Sequence, residues 1–105
     1  MNNKILSLIS LATKAGKVVS GELAVEKAIK EKKVKLVIVS KEASERTKKN
    51  YSDMCSFYNI PLYFYGSKEE LGRFTGKEFR VSVGILDDGF KNSMVKLLKL
   101  NSSEM

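Results

Sequence analysis

The chain has 105 residues, with 19 Lys and Arg against 12 Asp and Glu, for a formal charge of +7. That length suits one domain with one hydrophobic core, and 43% apolar with 30% charged residues excludes a disordered chain. One Cys and no His exclude a disulfide framework, a Cys/His zinc site and any mechanism that relies on an imidazole base.

Residues 3–14 are predicted to form a helix, with Ile5, Leu8, Ile9 and Ala12 at helical spacing and Gly16 as its C-terminal cap. Val18 and Val19 read as a very short strand. Ser20-Gly21 then opens a second helix through about Lys32, which offers Leu23, Val25, Ala28 and Ile29 for burial. Leu36-Val37-Ile38-Val39 is a short, wholly apolar run, the mark of a central strand covered on both faces. A third helix is expected from Ala43 to Tyr58, with Ser44 as N-cap and an inward stripe of Thr47, Tyr51, Met54, Cys55 and Tyr58. Pro61 follows, and Leu62 to Tyr65 form the next strand. Ser67 and Glu70 make a capping box for a short helix over 68–74. Arg80 to Leu86 read as the final strand. Asp87 or Asp88 caps a last helix that turns Phe90, Met94, Leu97 and Leu98 inward, and Asn101 to Met105 are expected to fray.

The order αβαβαβαβα predicts an α/β fold, a three-layer α/β/α sandwich around a central, mostly parallel four-stranded sheet. No linker, repeat or low-complexity stretch marks a domain boundary. Ligands of such sheets bind beyond the carboxyl ends of the strands, which here means Ser20-Gly21, Ser40 to Ala43, and Gly66 to Lys68. The apolar N-terminus is too short to span a membrane and lacks the form of a signal peptide, so a cytoplasmic location is expected.

The charge is unevenly spread. Residues 1–50 carry twelve basic and five acidic side chains, and residues 51–105 carry seven of each. The whole excess lies in the first half, which points to a polyanionic partner. The densest stretch is Lys30, Lys32, Lys33 and Lys35, after Lys27. Two readings stand: it tracks a phosphate backbone, or it is a solvated helix end where lysines favour the negative pole of the dipole. Arg46, Lys48 and Lys49 are equally open.

The absences narrow the function. There is no phosphate-binding P-loop and no GxGxxG fingerprint, so no nucleotide cofactor is expected. Asp87-Asp88 and Glu69-Glu70 sit at predicted helix starts, where carboxylates offset the dipole, so no metal site is expected. Cys55 lies on an apolar stripe with no His to activate it and reads as a core thiol. In Ser20-Gly21-Glu22…Lys27, a glycine at a helix start lets an anion or base edge approach the backbone N–H groups, with Lys27 about a turn and a half further on. A plain helix start explains the same residues.

Lys14-Ala15-Gly16-Lys17-Val18-Val19-Ser20-Gly21, the strand Val34 to Val39, then Ser67-Lys68-Glu69-Glu70-Leu71-Gly72 and Gly76-Lys77-Glu78 follow one another in an order and spacing that resemble a known family. It is the small ribosomal-protein superfamily typified by L-seven-Ae and L-thirty-e, in its bacterial YlxQ-like branch, and the resemblance covers about Lys4 to Leu98. It implies a mixed four-stranded sheet in an α/β/α sandwich, with residues 1–105 as a single RNA-binding domain. It implies a monomeric, non-enzymatic protein whose partner is structured RNA of the kink-turn kind, ribosomal RNA included, with no cofactor. Gly21 and Lys27 match the Gly and Lys of the family motif G-x-N-E-x-x-K. Leu71, Gly72 and Gly76 match the L-G-x-x-x-G segment that shapes the RNA-contacting loop. The motif's Asn and Glu are Leu23 and Ala24 here, and an apolar pair cannot make their hydrogen bonds to G·A pairs. Lys14, Lys17, Lys27, Lys41, Lys77 and Arg80 are the expected phosphate contacts, with Ser20 and Gly21 at the helix start. Glu22 and Phe79 are candidate base contacts, core packing being equally open for Phe79. Two rivals remain. One is a protein-interaction module of the same fold. The other is an enzyme, because similar domains precede the catalytic half of some RNA 2′-O-methyltransferases, although no Gly-rich cofactor segment is present.

Overall fold

The computed structural model describes residues 3–103. Five helices alternate with four strands: α1 (Lys4–Lys14), β1 (Val18–Ser20), α2 (Glu22–Lys30), β2 (Leu36–Val39), α3 (Glu45–Tyr58), β3 (Leu62–Phe64), α4 (Lys68–Arg73), β4 (Ser82–Ile85) and α5 (Asp88–Ser103). The helix boundaries have local causes. Gly16, at φ +74°, ends α1 in a Schellman turn, with its N–H on Thr13 O and the Lys17 N–H on Ala12 O. The Ser44 hydroxyl caps α3 by accepting from the Thr47 N–H. Ser67 and Glu70 form the expected capping box on α4, and the Asp87 carboxylate accepts from the Phe90 N–H at the start of α5. With no Gly or Pro to stop it, α5 continues through Ser103 instead of fraying from Asn101; Glu104 and Met105 lie outside the described residues.

The sheet order is β1-β4-β2-β3. Only β2 and β3 pair parallel; β4 runs antiparallel to both β1 and β2. The sheet is therefore mixed, and the mostly parallel arrangement expected from strand–helix alternation does not hold. The reason is length. Val39, at the end of β2, pairs with both Phe64, the end of β3, and Ser82, the start of β4. Between those two strands the chain has one six-residue helix, about 9 Å of rise, and remains at the end of the sheet where β3 stopped.

The layers are as expected. Leu36 and Ile38 of β2 and Val83 and Ile85 of β4 point to one side, where they meet Ile5, Leu6, Ile9 and Ala12 of α1 and Met94 and Leu98 of α5. Val37 and Val39 point to the other, against Val25, Ala28 and Ile29 of α2 and Tyr51 and Cys55 of α3. Each fully buried Leu, Ile or Val contributes about 1.5–3 kcal/mol by leaving water. Gly84 belongs to this packing, because a Cβ there would meet Val19 Cγ2 at 3.0 Å and Val34 Cγ2 at 3.4 Å. Leu23 is the exception among the expected core residues. It lies 84% exposed, because Val25, Ala28 and Ile29 define the buried face of α2 and Leu23 is rotated about 200° from Val25.

Candidate nucleic-acid interface

β1, β2 and β3 all run the same way, so their carboxyl ends meet at one end of the molecule, beside the start of β4. Two of the three turns named from the sequence, 40–43 and 66–68, are joined there directly by hydrogen bonds, and the third meets them through Arg80, whose backbone N–H bonds Lys68 O (3.0 Å). The buried Ser40 hydroxyl donates to Gly66 O (3.0 Å) and accepts from the Glu42 N–H (3.0 Å). The Lys41 N–H bonds Gly66 O, and the Glu42 carboxylate accepts from the Lys68 N–H (2.9 Å) at the first turn of α4. On the other side, the Gly21 N–H bonds Ser82 O (2.9 Å) and Arg80 Nε bonds Ser20 Oγ (3.3 Å).

Tyr51 ties these parts to the core. Its hydroxyl lies 2.7 Å from Ser82 Oγ and 3.4 Å from Glu22 O. If Ser82 donates to Tyr51, Tyr51 donates onward to the first carbonyl of α2, so no polar atom of the set is stranded. Burial pushes this hydroxyl up to about 12, and the Glu22 and Glu26 carboxylates add to the shift against the Ser82 bond. Tyr51 is thus a neutral structural strut. In the sequence the one signal for Ser82 is a lone polar residue inside the apolar run 81–86, since a buried hydroxyl needs a partner.

The start of α2 is open. Gly21 sits at φ +95°, and no side chain caps the helix. Arg80 lies over it, with Nε and Cδ 3.6 and 3.7 Å from where a Cβ would be. Arg80 Nη1 donates to Phe79 O (2.8 Å), and Nη2 has no partner among the described residues. An uncapped helix start beside a guanidinium is an anion-binding arrangement.

The loop 74–80 frames the opening. α4 closes in a second Schellman turn, with Gly76 at φ +77°, its N–H on Arg73 O and the Lys77 N–H on Gly72 O. The loop then folds back over Gly72 so closely that a Cβ there would lie 2.2 Å from Glu78 O. Leu71 and Gly72 are buried, so they shape the loop from beneath rather than reaching its surface. The buried Thr75 hydroxyl holds the turn by donating toward Leu71 O (2.8 Å) and Gly72 O (3.1 Å). Phe79 stands 63% exposed, which removes core packing as its role.

Ser20, Gly21, Glu22, Lys41, Gly76, Lys77, Phe79 and Arg80 thus gather at this end, Glu22 reaching Thr47 Oγ1 at 3.5 Å. Lys27 lies exposed further along α2. Lys14 and Lys17 do not join them. They flank the amino end of β1, a full strand away, where the Leu86 N–H bonds Lys17 O. Lys27, Lys41 and Lys77 form no ion pair among the described residues, whereas Lys33, Lys48 and Lys49 are paired with Glu31, Glu45 and Asp53. Cys55 is buried and its thiol is pushed up to about 11 by that burial, as a core thiol requires. Among the described residues no cluster of metal-ligating side chains occurs, and no helix is long and apolar enough to cross a membrane.

The mixed four-stranded sheet between two helical layers defines the class, a small α/β/α sandwich domain. The chain belongs to the ribosomal protein L7Ae/L30e/S12e/Gadd45 family, whose sequence pattern matches residues 3–95. It is 44% identical over 91 residues to the RNA-binding protein YlxQ of Bacillus subtilis (strain 168), covering 87% of this chain and 91% of that one. It is 42% identical over 78 residues to the large ribosomal subunit protein eL30 of Sulfolobus acidocaldarius, covering 72% and 75%. A Bacillus halodurans protein of unknown function has the same fold, with a TM-score of 0.89 at 40% identity over 93% of this chain and 99% of that one.

Proposed function

We propose that the chain is a non-enzymatic, cytoplasmic RNA-binding protein, a monomer of one domain over residues 1–105, that binds structured, kink-turn-like RNA and associates with ribosomal RNA. The observation that carries this reading is the uncapped start of α2 at Gly21, bordered by Arg80 and, across the loop, by Phe79 and the unpaired Lys77. Backbone N–H groups there take a phosphate or base edge, Lys27, Lys41, Lys77 and Arg80 neutralise the backbone, and Phe79 stacks on an unpaired base. Lys14 and Lys17 contribute at longer range. Leu23 and Ala24 supply no hydrogen bonds to bases, so the bend of the RNA is recognised by shape and by Glu22. The names of the YlxQ and eL30 relatives support an RNA partner.

The test is titration of a labelled kink-turn RNA over a salt series. Lys27→Ala should weaken binding and flatten the salt slope by about 1, the share of one phosphate contact. Lys33→Ala, whose ammonium is engaged by Glu31 at 3.2 Å, should change little. Equal loss from both substitutions, or no binding at low salt, refutes the reading. A second reading, a protein-interaction module, is favoured by one observation: Leu23 presents an apolar side chain to solvent at the position where the family motif has Asn. Retention of RNA binding in Leu23→Asn would be expected under the first reading, and undetectable RNA binding by either form supports the second.

A further inference from the structure

The two ends of the sheet carry different charge. The segments beyond the carboxyl ends of β1 to β3 (20–22, 40–46, 65–70 and 73–80) hold six basic and six acidic side chains. The segments at the opposite end (14–17, 30–35 and 86–91) hold seven basic and three acidic ones, a net +4. The end bearing Gly21 is neutral, and most of the molecule's excess charge lies a strand length away from it.

An open groove of about 580 Å³ occupies that second end, where the last turns of α2 and α3 meet the first turn of α5. Lys32, Lys35 and Lys91 line it, together with Phe57, Asn59 and Asp88. Helix-end electrostatics account for Lys32, just beyond the negative pole of α2, but not for the other two lysines of the groove. Lys91 belongs to the first turn of α5, the positive pole, where a cation is disfavoured. Lys35 precedes β2 and lies on no helix. Lys32 sits just beyond α2 at φ +62°, a conformation that favours glycine. None of the three forms an ion pair among the described residues. Phe57 is 78% exposed, and its ring is held edge-on by Tyr58 at 4.9 Å. An exposed aromatic ring among lysines without ion pairs, of which Lys91 Nζ donates only to the neighbouring Asn92 Oδ1 (3.3 Å), is a composition by which proteins hold single-stranded nucleic acid, the ring for a base and the ammonium groups for the backbone. An acidic peptide would use the lysines but not the ring.

We infer that this groove is a second RNA surface, which takes a single-stranded segment flanking the structured element bound at the Gly21 end. The inference rests on the RNA-binding reading and adds a separate site to it. The test compares a kink-turn RNA with the same RNA carrying an oligouridine extension of about 12 nucleotides, within the range such sites accommodate. Fluorescence anisotropy with the full chain is followed over a salt series. The extension should tighten binding about tenfold and steepen the salt slope by about 2, the share of three single-strand phosphates. Phe57→Ala, and separately Lys32→Gln with Lys35→Gln and Lys91→Gln, should abolish that gain while leaving the unextended RNA bound as before. All four positions are at the surface groove, and thermal melting confirms that the variants are folded. An extension that adds nothing, a gain that survives both variants, or equal displacement of the extension by polyglutamate overturns the inference while unextended RNA still binds. Failure of the unextended RNA to bind overturns the parent reading as well.

Discussion

Gly72 is where one methyl group tests the link between fold and site. In Gly72→Ala the new Cβ would lie 2.2 Å from Glu78 O, 2.5 Å from Glu78 C and 2.8 Å from Phe79 N, all of them backbone atoms that cannot rotate aside. Ordinary contact begins near 3.4 Å, so the loop must retreat by about 1.2 Å. Overpacking of this kind costs about 1–3 kcal/mol. Contact with backbone places the cost at the upper end of that range, and replacing a helical glycine by alanine returns up to about 1 kcal/mol, leaving a net loss of about 2 kcal/mol. For a chain of this size that lowers Tm by about 5–10 °C. The loss in RNA affinity should be larger than the stability loss explains, because the retreating loop carries Lys77, Phe79 and Arg80. Removing one stacked base is worth about 1–3 kcal/mol, or about 5- to 150-fold in Kd. Differential scanning calorimetry and RNA titration on the same samples measure both effects. Gly16→Ala is the control: its φ of +74° makes alanine strained, yet nothing lies within 4 Å of the new Cβ and the position is remote from the loop. It should lose comparable stability and keep its affinity. A Gly72→Ala protein that melts within about 2 °C of the parent and binds RNA equally well would refute the account of the loop.

Other expectations follow from the same geometry. Tyr51→Phe removes the partner of the buried Ser82 hydroxyl and should cost about 1–3 kcal/mol in urea unfolding, while an unchanged midpoint would show the strut to be idle. Gly21→Ala places a side chain at φ +95° and should destabilise the chain by about 1–2 kcal/mol, with Arg80 displaced and RNA affinity reduced, measured by melting and titration. Burial raises the Tyr51 hydroxyl from 10.0 to about 12 and the Cys55 thiol from 9.0 to about 11. The unfolded chain therefore ionises first, so stability is fully present below about pH 9 and is lost as pH rises through 11 and 12. Urea midpoints that stay level between pH 8.5 and 11.5 would contradict this. For the same reason Cys55 should react with a thiol reagent at neutral pH only as fast as the chain opens.

Much of this architecture is legible in the residues, and the exceptions have physical causes. Wherever a signal is local it reads correctly: the Ser67/Glu70 box, the Ser44 cap, the glycine after α1 and the apolar run of β2 each depend on neighbours a few positions away. Strand direction is not such a signal. Ser82 to Ile85 has the pattern of a buried strand whichever way it runs, and only the shortness of α4 decides it. Hydrophobicity alone places Leu23 in the core, whereas its angular distance from Val25, Ala28 and Ile29 places it in solvent. Lys14 and Lys17 are close to Gly21 in sequence, but three residues of extended β1 carry them to the other end. Phe79 is ambiguous in the sequence because its exposure is set by the close approach of its loop to Gly72, a contact no periodicity records.

The position of β4 also governs when the molecule can become itself. β1 has a single neighbour in the sheet, and the pairing joins Val18 to Ile85 across 67 positions of chain. β2 closes its inner edge only with the same late strand. A chain still being synthesised can hold α1, α2 and α3 as fluctuating helices, but it has nothing to fasten the first strand to the others until β4 arrives. Arg80, Ser82 and the Gly21 N–H meet in that same step. Completion of the sheet and creation of the binding surface are one event, so truncated products and partly folded chains should be unable to compete for the ligand.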